Sequence, residues 1–251
     1  MDRRSLLRMA GALAVAGDLA VRSSPAGAAS RPGLPVFSWE LVGGFVAPIV
    51  MMLSAPRLVV YADHTAIADA TRRLRLNGAM LAEVRLRAIE VLADPANLRR
   101  RPGVPVIADA PATRFEALAM HGGRRYRAAV DALAEYRDQH AYPQPLYDLL
   151  DLVTELRTRI LATGRPFRPA AVRVVVVRVD QANDPVGDWP SGVRVPALDA
   201  ASGMGREDLR GRTARRWTYA VQPTVAWSGP ILRIADGTLL QVAWRYLLPH
   251  E

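Results

Sequence analysis

Apolar and polar residues alternate over 36–46. Phe37, Trp39, Leu41 and Phe45 fall on one face, Ser38, Glu40 and Gly44 on the other. That is the period-two signature of a half-buried strand. Gly43-Gly44 predicts a bulge or a close backbone approach within it, and Pro48 its end. Residues 49–53 are apolar throughout and fit a short helix or a turn beneath a sheet. Residues 57–62 are β-branched and aromatic. With 65–68 they predict a hairpin whose turn is Asp63-His64. Residues 72–76 add a short edge strand, closed by a turn at Asn77-Gly78. Leu81, Val84, Ala88 and Leu92 recur at helical spacing, so a helix is expected over 79–93. Asp94-Pro95 stops it or caps one further turn.

Alternation returns at 113–120, with Phe115, Ala117 and Ala119 against Arg114 and Glu116. A turn at His121-Gly122-Gly123 leads to Tyr126, Ala128 and Val130, alternating with Arg125 and Arg127. The pair predicts a hairpin in which Glu116 faces Arg125 or Arg127 across the strands. Residues 128–136 also fit a helical period. Pro145 opens the clearest helix, striped by Leu146, Leu149, Leu150, Val153, Leu156 and Ile160, with Gly164 in the C′ position. Residues 171–179 (AVRVVVVRV) are apolar at both parities, as in a strand buried on both faces. From 181 to 205 prolines and glycines mark loops, and a short polar helix is expected over 206–216. Asp236-Gly237 turns a closing hairpin between 231–235 and 238–246.

These elements predict an α+β fold, a mostly antiparallel sheet with two main helices packed on one face. The shift in composition near 181 divides the mature chain into an α+β core domain, 29–180, and a loop-rich C-terminal subdomain, 181–251. The second piece, about 70 residues, makes only a marginal core alone.

Residues 1–28 have a different pattern. Arg3 and Arg4 stand side by side, then Ser5, two leucines and Arg8, then a modest apolar run over 9–21. A basic start, an apolar stretch and a small-residue site define a secretory signal. The paired arginines resemble the twin-arginine type. Ala26-Gly27-Ala28 supplies the small-x-small cleavage site, with Ala26 and Ala28 as its small residues, and the run is too short to span a bilayer well. Asp18 inside the run departs from the usual pattern. The export machinery is the partner this leader implies, and the expected location is outside the cytoplasm.

Composition narrows the chemistry. There is no Cys, so disulfides, thiol catalysis and thiolate metal sites are excluded. The formal net charge is +9, and every lysine-or-arginine position is Arg. Four arginines and two aspartates lie in the leader, so the mature chain keeps about +7, enough to raise affinity for anionic partners. Outside a cell these are wall polymers or lipid headgroups. The arginines are spread along the chain, with Arg99-Arg100-Arg101 the longest run. No aromatic-interleaved module points to nucleic acid.

No catalytic signature emerges. His64, His121, His140 and His250 are isolated from one another, and no nucleophile elbow, phosphate loop or dinucleotide fingerprint is present. No cofactor and no metal site are expected. Asp63 and His64 are adjacent but sit in a predicted turn, where Asp bonds its own backbone. Asp109 precedes a strand. Asp63-His64 as an acid–base pair, or carboxylates such as Asp63 and Asp109, would be routes to a hydrolase, the carboxylate pair needing their strands to be neighbours. Trp39, Trp189, Trp217, Trp227 and Trp244 fit core packing better than a sugar-binding face.

Four segments together resemble an uncharacterised family of exported proteins from high-GC Gram-positive bacteria. They are Val42-Gly43-Gly44-Phe45-Val46-x-Pro48, Val60-Tyr61-Ala62-Asp63, Ala108-Asp109-Ala110-Pro111-x-Thr113 and the ending Arg245-Tyr246-Leu247-Leu248-Pro249-His250-Glu251. In that family the hairpin reads Tyr-Gly-Asp-Gly and the ending Arg-Pro-Leu-Leu-Pro-Asp-Glu; here His64 replaces a Gly and His250 an Asp. The likeness spans nearly all the mature chain. Many members are lipoproteins, whereas this chain has no Cys. The family has no assigned activity, so the resemblance implies export and fold and carries no catalytic residues. The combined expectation is a secreted, non-enzymatic protein associated with an anionic cell-envelope surface. The alternative is a secreted hydrolase using Asp63 and Asp109.

Overall fold

The computed structural model describes residues 33–119, 123–182, 186–223 and 229–251. The expected export signal, with Arg3, Arg4, Ala26 and Ala28, lies outside them. So do Trp227 and the His121-Gly122 part of the predicted turn.

The fold is α+β, built on two sheets. The first uses β1 (Pro35–Val42), β2 (Leu58–Tyr61), β3 (Thr65–Ala68), β4 (Arg72–Arg75), β5 (Ala112–Leu118), β6 (Arg125–Asp131) and β7 (Arg165–Pro166). All its pairs are antiparallel, in the order β6-β5-β1-β2-β3-β4-β7. Helices α2 (Gly78–Ala93) and α3 (Gln144–Thr163) pack on one face. There Leu81, Val84 and Ala88 of α2 and the predicted α3 stripe join Phe37, Trp39, Val60 and Phe115 in the main core.

The second sheet runs β10-β8-β12-β11-β9. Its strands are β8 (Ala171–Val179), β9 (Val186–Asp188), β10 (Met204–Arg210), β11 (Ile231–Arg233) and β12 (Leu239–Tyr246). Among the described strands only β11 and β9 are parallel. β8 is buried on both faces, as its sequence requires. Val172, Val174 and Val176 meet Ala214 and Trp217 of α4 (Gly211–Ala220), and Val175 meets Ile49 of α1 (Pro48–Leu53). The free face of the first sheet, through Val59, Tyr61 and Ile67, is closed by Phe167 and Leu248. The last residues of the chain therefore return beneath the first sheet. Three tryptophans, Trp39, Trp217 and Trp244, are buried, and Trp189 packs 5.0 Å from Trp217 between ring centroids.

Several local expectations change. Gly43 and Gly44 follow β1 with φ of 70° and 81° rather than bulging within it. Gly44 does make a close backbone approach, to Asp109 and Pro111, and Phe45 is 90% exposed. Asn77-Gly78 is a helix start: Asn77 Oδ1 accepts the Met80 N–H at 2.8 Å, capping α2. Residues 132–140 form turns rather than helix. Over 206–216, the first five residues belong to strand β10, and α4 begins at Gly211. Strand is favoured there because β8 offers a full antiparallel ladder to 204–210, along which only Gly205 and Leu209 are buried. The second sheet also begins before residue 181, since β8 lies between β10 and β12.

Candidate functional site

The register separates the two aspartates that a hydrolase would need. Pro35 of β1 pairs with Tyr61, two residues before Asp63. At the other end of β1, Val42 pairs with Ala112, and the Asp109 carbonyl accepts the Phe45 N–H at 3.0 Å. The seven steps between those ends span about 23 Å, beyond the roughly 5–10 Å of a carboxylate pair. Each residue has a local task instead. Asp63 Oδ1 accepts the Thr65 N–H at 2.9 Å and shapes the hairpin turn. His64 takes the left-handed position, φ 70°, and its Nδ1 lies 3.3 Å from the Leu76 carbonyl. Asp109, at φ 61°, is exposed in a loop. Among the described residues no group of acids and histidines could hold a metal ion.

The densest ionic cluster among the described residues surrounds Glu251. Arg245 donates to both its carboxylate oxygens, at 2.7 and 2.6 Å, and the Leu248 N–H adds a third bond at 2.9 Å. Arg173 reaches the same carboxylate at 3.4 Å and clamps Asp208 with two bonds, at 2.8 and 2.9 Å. Burial opposes the charge on Glu251, but the Arg245 bonds, the Leu248 N–H and the fields of Arg245 and Arg173 outweigh it and hold its pKa below the ordinary carboxylate range. Next to it, the Tyr61 hydroxyl lies 2.8 Å from His250 Nδ1. Burial, with Glu251 and Asp63 nearby, pushes the Tyr61 phenol far up, so Tyr61 keeps its proton beside the ring. Desolvation pulls the His250 pKa down. Apart from the buried Arg245 Nε, these groups are satisfied by one another, so the cluster is a clasp that fixes the last residues.

A different surface has unsatisfied charge. β4 carries Arg72, Arg73 and Arg75 at the margin of the first sheet, all exposed. The two-residue strand β7 pairs with it so that Arg73 stands directly opposite Arg165. Arg168 follows, also exposed. Facing arginines on paired strands repel. Segments 57–75 and 157–168 hold eight arginines and two aspartates. Of the two, Asp69 is already shared by Arg57 and Arg157, and Asp63 is engaged in its turn. Arg72 uses one nitrogen on the Gly164 carbonyl at 3.2 Å. Arg73, Arg75, Arg165 and Arg168 form no ion pair among the described residues. Charge on an edge strand also blocks pairing with another chain, but one or two arginines suffice for that.

This edge escaped sequence reading. Arg72-Arg73 and Arg165 are about ninety residues apart, and nothing local says that the stub after α3 returns to pair with β4. The only local signal was an arginine-rich predicted edge strand and a second arginine pair just past a helix end. Comparison with protein-family models, with curated proteins and with solved structures returns no match to this chain.

Proposed function

We propose that the protein is a non-enzymatic, extracytoplasmic binding protein that associates with an anionic surface of the cell envelope. The observation that carries this reading is the arginine edge, where Arg73 and Arg165 face each other without an acid between them. Such an arrangement is relieved by an external polyanion, whose phosphates or carboxylates accept guanidinium hydrogen bonds. The leader, with Arg3 and Arg4, and the resemblance to exported proteins support the location.

The test has two arms. In the first, the Arg73→Gln/Arg165→Gln/Arg168→Gln variant is titrated against polyphosphate over a range of salt. Affinity should fall at least about tenfold, and the dependence on salt should become shallower, because fewer counterions are released. Equal affinity and slope would remove the edge from the function. In the second, Arg3→Lys/Arg4→Lys should leave the protein in the cytoplasm. Unchanged secretion would point to the general export route.

A further inference from the structure

One end of the molecule presents apolar side chains to solvent. Phe45 is 90% exposed and Val106 is 75% exposed, with Val46, Met51 and Ile107 also exposed. Met51 lies on the short helix α1; the others come from two loops that the backbone holds together. The Phe45 N–H donates to the Asp109 carbonyl at 3.0 Å, and Gly44 approaches so closely that a Cβ there would stand 3.2 Å from the Pro111 nitrogen. The second loop is pinned from below. The Tyr136 hydroxyl accepts the Ile107 N–H at 2.8 Å and donates to the Pro105 carbonyl. The same hydroxyl accepts from Arg100 at 3.0 Å. The basic run Arg99-Arg100-Arg101 is thus anchored beside the apolar tips. Residues 99–111 carry three arginines and one acid, Asp109, and residues 43–53 carry no charge.

We infer that this paired-loop tip inserts into the headgroup boundary of an anionic lipid bilayer, with Phe45, Val46, Val106 and Ile107 entering the acyl edge and Arg99 and Arg100 meeting lipid phosphates. The inference rests on the anionic-surface reading and specifies the surface. Apolar side chains standing singly on pinned loops, with arginines at their base, match an interface that is oily within and anionic at its rim. A hydrated wall polymer has no apolar interior to receive them. A second copy of this chain would bring like-charged arginine runs together, which disfavours it.

The experiment is co-sedimentation of the mature protein and its Phe45→Ser/Ile107→Ser variant with phosphatidylglycerol–phosphatidylcholine vesicles, beside polyphosphate binding. Both proteins share one N-terminus, so any contribution from it cancels. Both positions are exposed, and matching thermal unfolding curves verify the fold. The variant should bind vesicles at least about tenfold more weakly and keep its affinity for polyphosphate. A Phe45→Trp protein should gain fluorescence that brominated lipid quenches. Equal vesicle binding by parent and variant, or no quenching of the fluorescence gained in the Phe45→Trp protein, overturns insertion and leaves the anionic-surface reading standing. Binding to polyphosphate without binding to vesicles assigns the surface to a polymer. A dimer that dissociates in the variant assigns the tip to self-association. Binding to neither probe overturns the functional reading itself.

Discussion

Glu251 is enclosed: 17% of its side chain and 11% of that of Arg245 remain exposed. Removing the carboxylate would strand a buried guanidinium whose Nε already has no partner. Glu251→Gln should therefore cost about 2–3 kcal/mol, measured by urea unfolding at neutral pH. The pH dependence has a definite sign. The folded pKa of Glu251 is depressed, so its stabilisation is present above the ordinary carboxylate range and is lost as pH falls through the folded value. Asp208 acts in the same sense, chiefly through its hydrogen bonds from Arg173. His250, held neutral by desolvation, adds a loss that begins near its ordinary value of 6.5, where the unfolded chain takes up the proton first. In unfolding experiments from about pH 3 to 8, Glu251→Gln should flatten the limb below about pH 4. Parallel acid limbs for parent and variant would refute that assignment.

Among the elements, the end of α3 shows how a residue can be anticipated for one reason and required for another. Gly164 stands where a left-handed C′ glycine is expected, yet its φ is −70°. Space decides instead. A Cβ would collide with the Ile160 carbonyl oxygen and lie 2.9 Å from that of Arg73. Gly164→Ala should cost about 1–3 kcal/mol through this overlap, seen as a lower Tm. It should also speed amide exchange in β4, because the same glycine brings Arg165 opposite Arg73. A left-handed cap would tolerate Asn, whereas this contact excludes it. The hairpin β5–β6 is the contrasting case. Glu116 pairs with both Arg125 and Arg127, as strand alternation alone predicts, because cross-strand neighbours follow from register.

On the scale of the whole molecule, the two sheets are joined through a small apolar cluster. Phe167 lies between Tyr61 and Ile67 of the first sheet and Leu248 of the returning chain, edge-on to Tyr246 of the second at 6.4 Å between centroids. Phe167→Ala should cost about 3–5 kcal/mol. The parent should unfold in one transition, and calorimetry of the variant should show that transition broadening or dividing as the sheets uncouple. A single sharp transition at the parental Tm would show that the junction carries no such coupling. The clasp at Glu251 reinforces this joint, since Arg173 on β8 and Arg245 on β12 hold the last residue to the second sheet while Tyr61 of the first sheet bonds the adjacent His250.

By itself the sequence determined the local units of this protein. The β2–β3, β5–β6 and β11–β12 hairpins, the helices α2 and α3, and the doubly buried β8 were all readable, because alternation, helical spacing and turn residues act over a few positions. So was the turn role of Asp63. Tertiary structure decided which units meet. The existence of two sheets, the strand state of 204–210, the separation of Asp63 from Asp109 and the union of Tyr61 with His250 depend on pairings across tens to nearly two hundred residues. Both candidate surfaces belong to this second class. The arginine edge exists because β7 pairs with β4, and the apolar tip because the Phe45 N–H finds the Asp109 carbonyl. Periodicity records which face of an element is buried, and only the packed chain selects the partner that buries it.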